Sequence, residues 1–274
     1  MGRDVRDQPV GIFDSGIGGL TVFKEVSSIL PYEGIVYFGD TARVPYGTRS
    51  ADTVTQYSFE CTDFLLSQNI KLLVVACNTV SAICLQDIRQ RVPIPVIGVI
   101  EPGAKTAAAR TKVKRVGVIG TEATIRSGAY IRAIQAIDAD IEVVAKPCPL
   151  FVPLVEEGWT DGPIATMVAE RYLAHLKEIG IDAIVLGCTH YPLLKKVIQE
   201  VLGDVALIDS AVETARVVRD VLAEAGLENR SEDRPARRFF VTDSPEKFAA
   251  VGERFLEQRM GDVLSIKLKG KEGS

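Results

Sequence analysis

The sequence predicts an α/β protein made of two similar doubly wound domains, each with a mostly parallel sheet, and a site between them. Three observations carry that expectation. Short β-branched apolar runs alternate with longer stretches of helical periodicity. Two of those runs, Leu72-Leu-Val-Val-Ala76 and Ile184-Val-Leu-Gly187, end abruptly in Cys77-Asn78-Thr79 and Cys188-Thr189-His190. The spacing also repeats, with 63 residues from Asp14 to Cys77 and 67 from Thr121 to Cys188. Near-equal spacing points to two similarly built halves. Open α/β sheets hold their ligands beyond the carboxyl ends of strands, so two strand-end cysteines in matched settings point to one site with two faces.

In chain order, residues 10–13 form a first strand that breaks at Asp14-Ser15-Gly16-Ile17-Gly18-Gly19, before a helix through Ile29. Gly16, Gly18 and Thr21 fit the dinucleotide pattern only in part, and no Walker lysine follows. The turn therefore reads as one that lets a small anionic ligand approach backbone N–H groups. Residues 35–38 are a second strand, and residues 44–48 form a loop rich in turn formers. Ser50 caps a helix whose stripe is Val54, Tyr57, Cys61, Phe64 and Leu65, which places Cys61 in the core.

The strand ending at Cys77 is followed by a helical stretch at 81–86 and a strand at 95–100. Glu101-Pro102-Gly103 punctuates the chain, which puts a domain crossover near residue 100. Residues 110–115 are a basic cluster, read as a solvated loop before the strand at 115–121. Residues 141–145 are another strand, and Cys148, set between prolines, reads as an inert structural thiol. Pro163 opens a helix with Ile164, Val168, Tyr172, Leu176 and Ile179 on one face and His175 packed at its border.

Pro192 suits a first helical turn. Residues 206–208 are a short strand, and Ser210 with Glu213 forms a capping box for a helix through Leu222. Residues 228–237 read as a solvated linker or loop. A strand at 238–242, a helix from Ser244-Pro245 and a strand at 263–267 complete the chain. This tail is too small to fold alone. The expected organisation is a discontinuous first domain, 1–100 plus 210–274, and a second domain, 101–209.

Composition narrows the function. The chain has 274 residues, 47% apolar and 25% charged, enough for a sizeable core. A net charge of −4 provides no basic field for nucleic acid. No apolar signal core opens the sequence and no run has transmembrane length. Gly2 is followed by Arg6 where a myristoylation motif needs Ser or Thr. Five scattered cysteines, no Cys-x-x-Cys and two histidines fit a reduced cytoplasmic protein without a structural metal.

Two thiols flanking one carbon can act as base on one face and acid on the other, the requirement for inverting a Cα–H centre without a cofactor. Asp14 or His190 could accept a proton from, or orient, its nearby cysteine. Hydroxyls and amides of Ser15, Asn78, Thr79, Thr121 and Thr189 suit a substrate's carboxylate and ammonium groups. A single strand-end cysteine would read as a small core residue. Two in matched settings favour chemistry.

The motifs Gly11-Ile-Phe-Asp-Ser-Gly-Ile-Gly-Gly-Leu20, Gly39-Asp-Thr-Ala-Arg-Val-Pro-Tyr-Gly47, Val75-Ala-Cys-Asn-Thr79 and Leu186-Gly-Cys-Thr-His-Tyr-Pro192 closely resemble those of the glutamate racemases, in the aspartate/glutamate racemase superfamily. The resemblance runs from residue 10 to about 210. It implies a cofactor-independent amino-acid racemase that interconverts L- and D-glutamate, supplies D-glutamate for peptidoglycan, and commonly forms a homodimer.

It further implies that Cys77 and Cys188 are the proton donor/acceptors, for the D- and L-enantiomer respectively, with Asp14 supporting the first. His190 and a glutamate of Val155-Glu156-Glu157-Gly158, assigned to Glu156 with Glu157 as the other choice, support the second. Ser15, Tyr46, Gly47, Asn78, Thr79, Thr121, Thr189 and His190, together with Asp14, match substrate-contacting positions. Some relatives carry a longer N-terminal segment tied to activation by a cell-wall precursor, whereas nine residues precede the first strand here.

Alternatives are an aspartate or other amino-acid racemase of the same superfamily, and a thiol hydrolase with Cys188 as nucleophile and His190 as base. A further reading, contact with DNA gyrase, comes only from reports on some glutamate racemases.

Overall fold

The computed structural model describes residues 4–229, 231 and 235–268. Strands β1 (Val10–Asp14), β2 (Ile35–Gly39), β3 (Leu72–Val75) and β4 (Val96–Gly98) share one sheet. Strands β5 (Arg115–Gly120), β6 (Glu142–Pro147), β7 (Ala183–Gly187) and β8 (Ala206–Asp209) form a second. Strands β9 (Arg237–Val241) and β10 (Val263–Ser265) return to the first. Around them lie helices α1 (Leu20–Ile29), α2 (Ala51–Ser67), α3 (Asn78–Ile83), α4 (Leu85–Arg91), α5 (Ile100–Arg110) and α6 (Glu122–Arg126). The remaining helices are α7 (Ala129–Gln135), α8 (Phe151–Glu156), α9 (Gly162–Glu178), α10 (Lys195–Leu202), α11 (Ser210–Glu224) and α12 (Pro245–Leu256).

The sheet orders are β10-β9-β2-β1-β3-β4 and β6-β5-β7-β8, and every ladder in them is parallel. Helices cover both faces of such sheets, so β1, β2, β3 and β7 are buried along their whole length. This is why they read in the sequence as unbroken apolar runs. Each fully buried Val, Leu, Ile or Phe in them contributes about 1.5–3 kcal/mol.

The orders β2-β1-β3-β4 and β6-β5-β7-β8 are the same, so the repeated spacing reflects a repeated winding. In each, the chain steps to one side of its first strand and then to the other. The switch points lie between β1 and β3 and between β5 and β7, where doubly wound sheets open a crevice. Asp14 and Cys77 end one pair, Thr121 and Cys188 the other. Helix α11 packs against both α1 and α5 and so bridges the two sheets.

Several local expectations shift. Glu101-Pro102-Gly103 lies inside the first turn of α5, where a proline's missing N–H has no intrahelical partner to lose. The helix after Cys77 begins at Asn78, earlier than expected, and breaks at Cys84 before α4. On α9 the buried face is Ala165, Ala169, Leu173 and Leu176, and Ile164 is half exposed at 50%. His175 accordingly points to solvent beside Glu178. The cap of α11 is Asp209, whose carboxylate accepts the Ala211 N–H. Ser210 is thereby free to bond Leu186 O, and Glu213 pairs with Thr106 and Arg216. Of the 228–237 segment, Asn229 is tied to Glu33 and Tyr32, while residues 230 and 232–234 lie outside the described residues. No helix of the described residues is long and apolar enough to cross a membrane.

Candidate active site

Cys77 is the second residue of the two-residue step between the end of β3 and α3, and only 5% of it is exposed. Its Sγ lies 3.5 Å from Ser15 Oγ. Burial, with Asp14's charge adding, pushes the Cys77 thiol up to about 12. Buried in this way, it holds its proton at neutral pH and is an acid in waiting. Asp14, 1% exposed, accepts the Gly16 N–H through Oδ2 at 2.9 Å, while among the described residues Oδ1 makes no hydrogen bond. Burial raises its carboxyl above the ordinary range, partly offset by the Gly16 N–H bond and by His190's charge. A buried carboxylate with a free lone pair and a raised proton affinity can take a proton from its neighbour.

The facing side is built differently. Cys188 follows β7, is 6% exposed, and has its Sγ 3.8 Å from His190 Nδ1. His190 Nε2 lies 3.1 Å from Glu156 Oε1. Burial alone would lower the imidazole, but the hydrogen bonds to Cys188 and Glu156 outweigh it and push His190 up to about 10. The same bond holds the Glu156 carboxyl below its usual range. The Phe255 ring meets His190 edge-on at 5.7 Å, and Arg254 donates to Glu156 O. Both glutamates at the end of α8 are exposed, and the contact with His190 is what selects Glu156 over Glu157. Cys188's charge is felt at Cys77, so the two thiols share one electrostatic environment.

The glycine turn after β1 has a different use from the one expected. The Gly16 N–H is taken by Asp14 and Gly16 O by Tyr37 OH at 2.8 Å. A Cβ on Gly18 would overlap Thr189 Oγ1 and sit 2.5 Å from His190 Nδ1, and one on Gly19 would overlap Asp14. Gly18 thus lets the two halves of the site approach each other, and Gly19 makes room for Asp14 within its own half. Thr21 Oγ1 donates across the same junction to Thr189 O at 3.0 Å.

The remaining residues gather on the opposite flank. Thr79 Oγ1 lies 3.0 Å from Thr121 Oγ1 and 3.3 Å from Thr124 Oγ1, a hydroxyl triangle spanning both halves. Gly47 packs on Thr121, where a Cβ would be 2.9 Å from Thr121 Cβ. Tyr46 is buried with its phenol on Asp40 and near Cys61, so its side chain is committed to the core. Asn78 Oδ1 accepts from Tyr130 OH at 2.7 Å. Thr124 and Tyr130 were not singled out in the sequence. Thr124 had a faint signal, lying three residues after the helix-capping Thr121, and Tyr130 had none. Cys61, Cys84 and Cys148 are buried, and Cys148 is held up to about 12 chiefly by burial. A cleft of about 230 Å³ lined by Gly16, Ile17, Val44, Glu156, Lys247 and Phe248 opens beside Glu156.

The Asp/Glu/hydantoin racemase family matches residues 20–218. The glutamate racemase of Geobacter metallireducens is 56% identical, covering 96% of this chain and 98% of the relative. The glutamate racemase of Francisella tularensis, solved with D-glutamate, superposes with a TM-score of 0.91 at 43% identity over 96% of this chain and 98% of its own. That of Thermus thermophilus, solved with β-chloro-D-alanine, gives 0.87 at 47% identity over 96% and 98%.

Proposed function

The chain belongs to the Asp/Glu/hydantoin racemase family, and from that premise we propose that it interconverts L- and D-glutamate by two-base proton transfer between Cys77 and Cys188. The observation that carries the mechanism is the pair of buried thiols at matching switch points, each with its own proton partner. From L-glutamate, a Cys188 thiolate removes the Cα proton while the Cys77 thiol supplies one to the opposite face. The reverse direction exchanges the roles. Asp14 serves Cys77, and the His190–Glu156 pair serves Cys188. Asn78, Thr79, Thr121, Thr189 and Ser15 bind the substrate's charged groups. No cofactor enters these steps.

The halves 1–100 plus 210–274 and 101–209 act as domains that part to admit substrate, since both thiols are nearly sealed in this form. Both thiols must stay reduced, which suits a cytoplasmic enzyme supplying D-glutamate for peptidoglycan, and the motif resemblance implies a homodimer. The Cys188-His190-Glu156 chain alone would also suit a thiol hydrolase, but that reading leaves Cys77 and Asp14 idle.

The test is chiroptical: L- and D-glutamate, then L- and D-aspartate, are incubated with purified enzyme and no cofactor. Loss of optical rotation with glutamate in both directions is expected. Turnover of aspartate alone would keep the chemistry and overturn the substrate.

Glu156 and Glu157 separate in the same assay. In Glu156→Gln, one of the hydrogen bonds that hold His190 protonated weakens. The alkaline limb of kcat/KM therefore moves to lower pH, with about a tenfold loss of activity near pH 8. Glu157→Gln leaves the profile in place. Equal pH profiles for the two variants would remove Glu156 from the proton path.

A further inference from the structure

A carboxamide can present either its NH2 or its carbonyl oxygen, and the two recognise opposite charges. At Asn78 the choice is made by Tyr130, on α7 of the other half. The phenol oxygen lies 2.7 Å from Asn78 Oδ1, an ordinary O–H···O length, and 3.1 Å from Ser210 Oγ. Ser210 Oγ in turn lies 3.1 Å from Leu186 O. A phenol has one proton, and the shorter contact takes it. Tyr130 is 2% exposed, and burial pushes its phenol pKa well up, so the proton stays on at physiological pH.

The ring is packed between two glycines, and an added Cβ on Gly103 would sit 3.5 Å from Tyr130 Cε1. It closes on Gly187, where a Cβ would sit 3.0 Å from Tyr130 Cε2. One side chain thus reaches from the residue after Cys77 to the residue before Cys188. Among the described residues, Asn78 Nδ2 makes no hydrogen bond to the protein.

We propose that Tyr130 is a positioning residue that locks the Asn78 carboxamide with its NH2 group toward the substrate, making Asn78 a reader of a substrate carboxylate and not of the ammonium group. The proposal rests on the glutamate reading above and deepens it. Without the phenol hydroxyl, Oδ1 is buried with no partner, and the amide turns over to present an acceptor where a carboxylate should dock.

The test is Tyr130→Phe, with calorimetric binding of glutarate, a dicarboxylate lacking the ammonium group, alongside steady-state kinetics. Glutarate affinity is expected to fall about tenfold, and KM for both glutamate enantiomers to rise about tenfold, the worth of one oriented hydrogen bond. The kcat values change less than about threefold, because neither base is touched. Ser210→Ala removes the phenol's other neighbour and is expected to weaken glutarate less than about twofold.

Unchanged glutarate affinity and KM in Tyr130→Phe overturns the proposal. So does an equal loss in Ser210→Ala, which would mark general packing. Should Tyr130→Phe fail to fold, the wild type decides. With selective 15N labelling of asparagine, the side-chain amides come only from Asn69, Asn78 and Asn229. Glutarate is expected to shift the Asn78 NH2 resonances, and their constancy at saturation refutes the lock. If the wild type racemises aspartate instead, the glutamate reading falls, and succinate then replaces glutarate in the same test of Tyr130.

Discussion

Cys77→Ser and Cys188→Ser each lose racemisation by about 10³-fold while the fold survives, the scale expected for removing a general acid–base group from a proton transfer. Serine matches cysteine closely in volume, and both positions are buried with their neighbours in place, so thermal melting should move little. What changes is acidity, since an alcohol neither gives up nor regains a proton as a thiol does. The two variants should fail in opposite ways. Cys77→Ser keeps the Cys188 side with His190 and Glu156, so in D2O it still washes the Cα proton out of L-glutamate without inversion. Cys188→Ser keeps Cys77 with Asp14 and Ser15 and does the same for D-glutamate. A hydrolase working through Cys188 would tolerate loss of Cys77, so wild-type activity in Cys77→Ser would remove the racemase mechanism.

The second large effect comes from a residue with no side chain. Gly18→Ala puts a methyl group into Thr189 Oγ1 and to within 2.5 Å of His190 Nδ1. Neither neighbour can retreat cheaply. His190 is held by Cys188, Glu156 and the Phe255 ring, and Thr189 O accepts from Thr21. The halves must part, or His190 must leave its place beside Cys188. A displacement of about 1 Å at a reacting group can cost 10²-fold, so kcat/KM is expected to drop by about that factor or more. Overpacking should also cost about 1–3 kcal/mol of stability, read as a lower denaturant midpoint. Gly34→Ala, where the nearest atom to a new Cβ is 3.5 Å away, is the control and stays near wild type. An active Gly18→Ala enzyme would mean that this close juxtaposition is not the working geometry.

The sequence carried the parts of this site that follow from parallel-sheet physics. Strands buried on both faces must be continuous apolar runs, and polar residues at their carboxyl ends can point only into the crevice. Asp14, Cys77, Thr121 and Cys188 were therefore legible from position alone. Where two local solutions compete, the pattern misled. Asp209 and Ser210 can both cap α11, and the strand places Asp209 first. Helix α9 carries apolar residues on more than one face, so its phase, and with it the exposure of His175, was set by packing against the second sheet. Glu156 and Glu157 differ only by helix phase, which His190 reveals. Gly18 looked like a ligand turn because the chain that fills its space is about 170 residues away. Tyr130 and Thr124 act entirely through contacts of that long-range kind, and nothing in their own neighbourhoods announces it.

The central claim is that two different groups handle the proton on the two faces of the substrate. The most direct measurement runs protiated L-glutamate with wild-type enzyme in D2O, stops the reaction within the first few percent, separates the enantiomers and reads Cα deuterium in each by mass spectrometry. Two bases predict D-glutamate carrying deuterium from Cys77 while the remaining L-glutamate is still protiated. Protium retained in the D-glutamate, or deuterium appearing equally in both enantiomers from the start, would mean that a single group serves both faces, and Cys77 and Cys188 could not hold the roles given to them here.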